Sequence, residues 1–291
     1  MNLADLLRRF WNVGPYQLTP LKGGMNSRTW LVSSESSTYV AKQVCLEDLS
    51  AFASGCHVAA GLADRGFVTG RPVPTVNGNL LATEYALALL EHVPGRELQG
   101  ESDEEQRWIA ELLVGVHAAG ISTPDLPTSS FAADWLTEDT AGVMAHPWLR
   151  PAIRAVRSET SPLTLTWSVL HTDPAPEAFI HDQATATTGL IDWTGAQPGP
   201  VLYDIASAVM YMHGPINAAT FLTAYHDHGL LADEELLSLD AFRRFRWVVQ
   251  AVYFAQRITE GDLTGVRDDA SNQGGLREAR SNLAELGLDT A

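Results

Sequence analysis

The chain has 291 residues, 45% of them hydrophobic, enough to fill the core of one large domain or of two lobes; a disordered or fibrous protein is excluded. Nineteen basic against thirty-five acidic residues leave a formal charge of −16. That field disfavours nucleic acid and anionic membranes as partners and draws cationic small molecules, while serving solubility equally well. The two cysteines, Cys45 and Cys56, stand outside any Cys-x-x-Cys or Cys/His cluster. Neither a disulfide framework nor a zinc site is expected, and a reducing cytoplasm is the expected compartment.

The opening residues carry Asp5 ahead of Arg8 and Arg9 with no apolar core of the secretory kind, and no apolar run elsewhere approaches the roughly 18 residues of a membrane span. A helix is expected from Leu3 to about Phe10, ended by the turn Val13-Gly14-Pro15. The pattern then changes to period two. Ser27 to Val32 and Thr38 to Val44 read as strands, joined through the turn formers Ser33 to Ser37 into a hairpin. Ala51 to Arg65 reads as a helix closed by Gly66, and a strand pair is expected at Val73–Thr75 and Leu80–Tyr85 about the turn Asn77-Gly78. Beyond Val93-Pro94-Gly95 the character is mainly helical, with helices expected at Glu104–His117, Phe131–Ala145, Tyr203–Met212, Ala218–His228 and Glu234–Arg257. Only the β-rich island Val169 to Trp193 interrupts them. A small β-rich lobe therefore precedes a larger helical one, with a hinge near Leu90 to Pro94.

The island holds the most informative residues. Two apolar runs each end on an aspartate, Asp173 and Asp192, nineteen residues apart. The polar turn His181 to Thr188 lies between them, so the two strands are expected to pair as a hairpin and bring both carboxylates together. Taken singly, each aspartate reads as a cap, Asp173 of a turn before prolines and Asp192 of a following helix. As a pair they suit phosphoryl transfer, in which one acid orients or deprotonates a hydroxyl and the other holds magnesium against nucleotide phosphates. Upstream, Gly23 and Gly24 permit a backbone loop to fold over a triphosphate, with Asn26 or Ser27 as hydrogen-bond donors. Lys42 is unusual inside a strand of the type Tyr-Val-Ala-Lys; its other reading is the solvent face of an edge strand.

His171-Thr172-Asp173 resembles the His-Gly-Asp of aminoglycoside phosphotransferases, choline kinases and homoserine kinases. Ile191-Asp192-Trp193 is similar to their Ile-Asp-Trp, and Tyr203-Asp204-Ile205-Ala206 to their Tyr-Asp-Leu-Ala. The strand ending at Lys42 resembles the Val-Ala-Ile-Lys strand of kinases. The resemblance spans nearly the whole chain and is strongest over 168–212. It implies an α+β, bilobal protein-kinase-like fold, with residues 1–92 as a nucleotide-binding lobe and 93–291 as a catalytic and substrate-binding lobe. Asp173 is then the catalytic base and Asp192 the metal-binding acid. Lys42 contacts the phosphates beneath the loop of Gly23, Gly24, Asn26 and Ser27, and backbone groups near Leu90 to Val93 read the purine. His171 anchors the catalytic loop and Asp204 buttresses it. The implied activity is Mg2+-dependent transfer of the γ-phosphoryl group of ATP or GTP to a hydroxyl of a small molecule such as an antibiotic or an amino-alcohol metabolite. A serine or threonine of a precursor peptide, with a partner protein, and a non-catalytic pseudokinase are the alternatives.

Three departures accompany the resemblance. Ala178 stands where the family carries an asparagine that contacts a second magnesium, leaving Glu177 as the neighbouring oxygen ligand. Thr172 replaces a glycine, so a loop that needs positive φ there must be strained or rearranged. The run Ala51 to Ala63 holds no acid to pair with Lys42, which leaves Glu47, Asp48 or Asp192 for that role. His117 is expected to be a satisfied packing residue. Of Phe242, Phe245, Trp247, Tyr253 and Phe254, most should be core, with one ring lining the cleft. The carboxylate-rich stretch Arg257 to Asn272 is expected on the acceptor side, where Asp262, Asp268, Asp269 and Asn272 would read amines or hydroxyls unless the loop is simply solvated.

Overall fold

A computed structural model describes residues 2–14, 16–21, 24, 26–34, 37–120 and 135–288. The chain opens with helix α1 (Leu3–Trp11), started by Asn2, whose side chain accepts from Asp5 N at 2.9 Å, and stopped by Asn12 in the left-handed region. Strands β1 (Gln17–Pro20), β2 (Ser27–Ser33) and β3 (Thr38–Val44) follow as an antiparallel sheet. Its fourth strand, β4 (Leu87–Glu91), pairs with β3 through Val40 and Leu90. The strand pair expected at 73–75 and 80–85 is replaced by a turn at Asn77-Gly78 and a 3-10 turn over Thr83–Tyr85; only isolated bridges join this stretch to β4. The apolar run Leu87 to Leu90 forms the strand because it is buried on both faces, and such strands lack alternation.

Between β3 and β4 lies α2 (Leu49–Ala63). Its Val58, Ala59 and Leu62 join the core of the C-terminal region, while Phe52 and Cys56 pack with Val44 and Ala88 of the sheet. Gly55 sets how closely this helix lies on the rest: a Cβ there would fall 2.0 Å from Trp193 O. Gly55→Ala is therefore expected to destabilise the protein by at least about 1–3 kcal/mol, the usual cost of overpacking. A chemical denaturation series comparing it with Gly61→Ala on the same helix checks this.

The larger region is mainly helical, as the sequence implies. After β5 (Arg96–Glu97) come α3 (Asp103–Ala118), α4 (Ala141–Ala145) and α5 (Leu149–Thr160), then β6 (Trp167–Leu170), β7 (Phe179–Asp182), β8 (Thr187–Leu190) and β9 (Gln197–Pro200). Helices α6 (Val201–Tyr211), α7 (Ala219–Asp227), α8 (Asp233–Leu236), α9 (Leu239–Glu260) and α10 (Asp269–Glu285) complete it. The helix expected over Phe131–Ala145 falls partly outside the described residues; within them α4 occupies only its last turn. The helix expected from Glu234 breaks into α8 and α9. No helix among the described residues is long and apolar enough to cross a membrane.

At the junction of the two regions, Glu105 in the first turn of α3 takes Arg96 Nη1 at 2.5 Å and the backbone N–H groups of Gln99 and Gly100 at 2.8 Å each. Burial pushes its carboxyl up, but these donors outweigh burial and hold it below the ordinary carboxylate value. Its stabilising contribution is full above the unfolded value of about 4.3 and is lost as pH falls through the lower folded value. Glu105→Gln should accordingly flatten the acid limb of the stability–pH curve below about pH 4, measured by urea midpoints.

Candidate active site

Asp173 and Asp192 lie in the loops that follow β6 and β8, but these strands do not pair with each other. Strand β6 pairs with β9 and β8 with β7, so the hairpin turning at 182–187 joins β7 to β8. Hydrogen bonds between the two loops join them instead. His171 Nε2 donates to Ile191 O at 2.8 Å, and Thr172 Oγ1 donates to Gly195 O at 3.1 Å. The imidazole also meets the Trp193 ring edge-on, with centroids 4.8 Å apart.

The backbone of the Asp173 loop is held from below by Asp204 in the first turn of α6. This carboxylate is fully buried and accepts from His171 N at 2.7 Å, Thr172 N at 2.8 Å and His117 Nε2 at 3.0 Å. The Tyr225 hydroxyl donates in turn to His117 Nδ1 at 2.7 Å. Such a carboxylate is tolerated in the interior because every donor it needs is preorganised around it. Thr172 does adopt φ +74°, a region that a β-branched residue avoids. The Asp204 and Gly195 hydrogen bonds hold it there, and its hydroxyl does what a glycine could not: it ties the Asp173 loop to the Asp192 turn.

Lys42 lies buried on β3, and its Nζ donates to Asp192 Oδ1. The ammonium reaches Asp192 directly: the run Ala51–Ala63 of α2 holds no acid to interpose, and Gly55 lets that helix lie against the backbone of Trp193 and Thr194. Asp192, in the left-handed region at φ 68°, also takes Thr194 Oγ1 at 3.3 Å on the same oxygen. Burial pushes its carboxyl up, and the Lys42 charge and hydrogen bond outweigh that, holding it below the usual carboxylate range. The other oxygen, Oδ2, faces Gly24, where a Cβ would lie 4.0 Å away. The loop's Gly23 lies outside the described residues; Ser27 opens β2 opposite Val44.

Two side chains of the site, Arg246 and Tyr211, carry no signal in the sequence. Arg246 of α9, 5% exposed, donates through Nη2 to Asp173 Oδ1 at 2.9 Å, and the Tyr211 hydroxyl donates to the same oxygen. Tyr253, two turns further along α9, donates to Asn26 Oδ1 at 2.7 Å and is itself bonded by Arg257 Nη1 at 3.2 Å. Tyr253 is the ring of the aromatic cluster that faces the cleft, while Phe242, Phe245, Trp247 and Phe254 are core. One stripe of α9 thus runs from the Asp173 loop to the glycine loop of the β-rich region.

Other expected contacts lie elsewhere. Asp262 pairs with Arg257 Nη1 at 2.7 Å and accepts from Thr264 N at 2.8 Å. Asn272 is fully buried: its Oδ1 takes Arg257 Nε at 3.1 Å, and its Nδ2 donates to Asp262 O at 2.9 Å. Both are committed to the α9–α10 turn. Asp268 caps α10 through Ser271 N at 3.3 Å, and Asp269 is exposed in its first turn. Leu90 lies inside β4 between β3 and the 71–73 segment, and half-buried Val93 follows the strand, packed near Gly70 and Gly189. Glu177 is exposed on the 3-10 turn Pro176–Ala178. Among the described residues, no three His, Cys, Asp or Glu side chains converge to hold a metal ion.

A four-stranded antiparallel sheet over a helical region, with two aspartate loops at their junction, defines a kinase-like phosphotransferase fold. The sequence profile of the APH phosphotransferase enzyme family matches residues 17–242, and the chain belongs to that family. The homoserine kinase of Caulobacter vibrioides (strain NA1000 / CB15N) is 24% identical over 206 residues; the match spans 66% of this chain and 64% of that kinase, under two thirds of its length. The structure of amicoumacin kinase in complex with AMP-PNP, Ca2+ and Ami superposes with a TM-score of 0.79 at 15% identity, covering 99% of this chain and 95% of that one. Choline kinase from Streptococcus pneumoniae does so with a TM-score of 0.74 at 15% identity, covering 97% and 98%.

Proposed function

We propose that the protein transfers the γ-phosphoryl group of ATP or GTP to a hydroxyl of a small molecule, an antibiotic or an amino-alcohol metabolite. The observation that carries this reading is the meeting of Lys42, Asp192 and the Asp173 loop at one cleft, across which Lys42 and Asp192 already touch. The nucleotide analogue and divalent cation held by amicoumacin kinase support the same reading.

Residues 1–92 form the nucleotide-binding lobe and 93–291 the catalytic lobe. Lys42 and the loop from Gly23 through Ser27 bind the phosphates, with the purine against the backbone near Val93. Asp173 accepts the proton of the acceptor hydroxyl as its oxygen attacks the γ-phosphorus, and the β–γ bridging bond breaks to release the nucleoside diphosphate. Asp192 fits a magnesium ion held largely by the nucleotide: its Oδ2 faces the loop, and Mg2+ takes one or two carboxylates alongside phosphates and waters. Such an ion would neutralise charge on the phosphates. Ala178 brings no side-chain ligand, and Glu177, exposed on the same 3-10 turn, is the oxygen donor this reading assigns to a second contact.

Thermal midpoints with ATP and GTP, each with and without magnesium, test the nucleotide half of this reading. Nucleoside diphosphate release with aminoglycosides, nucleoside and peptide antibiotics, choline, aminopropanol and homoserine tests the other. Metal-dependent stabilisation and turnover with at least one acceptor are expected. No stabilisation and no turnover would contradict it and favour a binding module. Tyr253→Phe, which removes the tie to Asn26, should alter KM for the nucleotide severalfold with the thermal midpoint unchanged.

A further inference from the structure

Asp173 stands on an exposed loop, 61% accessible, and an aspartate there turns about its last side-chain torsion with little resistance. Its backbone is fixed by Asp204 through the N–H groups of His171 and Thr172. That leaves the carboxylate itself. The same helix supplies what it needs: Asp204, Ser207 and Tyr211 lie at i, i+3 and i+7 on one face of α6. Tyr211 donates to Asp173 Oδ1, and Ser207 Oγ accepts Arg246 Nε at 3.0 Å. Arg246 spreads its remaining donors over Gln250 Oε1 at 2.7 Å, Asp173 Oδ1 at 2.9 Å and the Tyr211 oxygen at 3.3 Å.

Both donors therefore land on one oxygen. Among the described residues no hydrogen bond reaches Asp173 Oδ2. Burial, followed by the Asp173 charge, holds the Tyr211 phenol well above its usual value, so it stays a donor throughout the working pH range. A guanidinium this deeply buried is tolerated where its partners neutralise and saturate it, and charge-assisted bonds to a carboxylate are the strong, directional kind.

We propose that Arg246 and Tyr211 are positioning residues that grip Asp173 by Oδ1 and so aim Oδ2 at the acceptor hydroxyl. The inference rests on the reading of Asp173 as the base. Neither residue touches the transferred group. Their effect runs through the angle at which Oδ2 meets the hydroxyl proton, and small misalignments of reacting atoms cost rate steeply.

The test uses the full chain with magnesium–ATP and the panel acceptor of highest turnover, recording kcat, both KM values and the thermal midpoint. Tyr211→Phe keeps the ring and removes only the donor; it should lower kcat about tenfold with nucleotide KM unchanged. Arg246→Met should lower kcat about 100-fold, and Arg246→Lys should recover at least part of that loss. Because Arg246→Met removes a buried charge and can fail to fold, Tyr211→Phe decides. If Tyr211→Phe moves only the thermal midpoint and leaves kcat intact while Asp173→Asn is inactive, the positioning role is overturned and the base reading stands. If Asp173→Asn keeps wild-type kcat, the base reading falls and the positioning role with it.

Discussion

Asp173→Asn is expected to lower turnover about 10²–10⁴-fold, the range removed when a positioned general base is lost. The substitution is nearly isosteric, so the Arg246 and Tyr211 contacts to Oδ1 can persist in weakened form and the loop keeps its course. What disappears is the negative oxygen at Oδ2. Nucleotide affinity should change less than threefold, since Lys42, Asp192 and the glycine loop bind the phosphates in this account. Initial rates at saturating acceptor, alongside calorimetric titration with magnesium–ATP, separate the two effects.

Asp204→Ala should be the most damaging single substitution for stability, at about 3–5 kcal/mol, the cost of leaving buried charged and polar partners uncompensated. The N–H groups of His171 and Thr172 and His117 Nε2 would all lose their acceptor in the interior. Activity should fall with it even where the chain still folds, because Thr172 at φ +74° is held by that acceptor. Asp204→Asn, which keeps one carbonyl oxygen, should lose less. Denaturant midpoints for both variants, with residual turnover well below the midpoint, check the ordering.

The sequence announces the two regions through a change of period, from alternating strands before residue 90 to helical spacing beyond it. Strand β4 was hidden because a doubly buried strand has no alternation to detect, and the expected strands were drawn to the turn at Asn77-Gly78 instead. Helix α10 is absent from the sequence reading for a different reason. Its first turn falls in the carboxylate-rich stretch Arg257 to Asn272, and the helix is docked through Gly275, where a Cβ would lie 2.2 Å from Phe254 Cε2, a close helix–helix contact. The extra burial it allows overrides the low helix propensity of glycine.

Within the site, residues carried by local motifs were legible: Asp173, Asp192, Asp204, His171 and Lys42 each stand in a short, recognisable string. The direct Lys42–Asp192 contact was open in the sequence only as the option left by an α2 without acids. Arg246 was not legible. It stands in Phe242-Arg243-Arg244-Phe245-Arg246, where Arg243 pairs with Asp240, Arg244 with Glu159, and only Arg246 turns inward to Asp173. Nothing local distinguishes the three, since the selecting contact comes from 73 residues away. The carboxylates of 262–272 misled for the converse reason: Asp262 and Asn272 are consumed by Arg257, a buried cation whose partners sequence spacing does not reveal.

The cleft joining Lys42, Asp192 and Asp173 is expected to transfer a phosphoryl group to a hydroxyl. Mass spectrometry of the panel acceptors after incubation with the protein and magnesium–ATP or magnesium–GTP measures this directly. One added phosphoryl group on an acceptor is expected, in step with nucleoside diphosphate released, and none with Asp173→Asn. An acceptor phosphorylated equally well by Asp173→Asn, or nucleotide bound and never consumed with any acceptor, would contradict it.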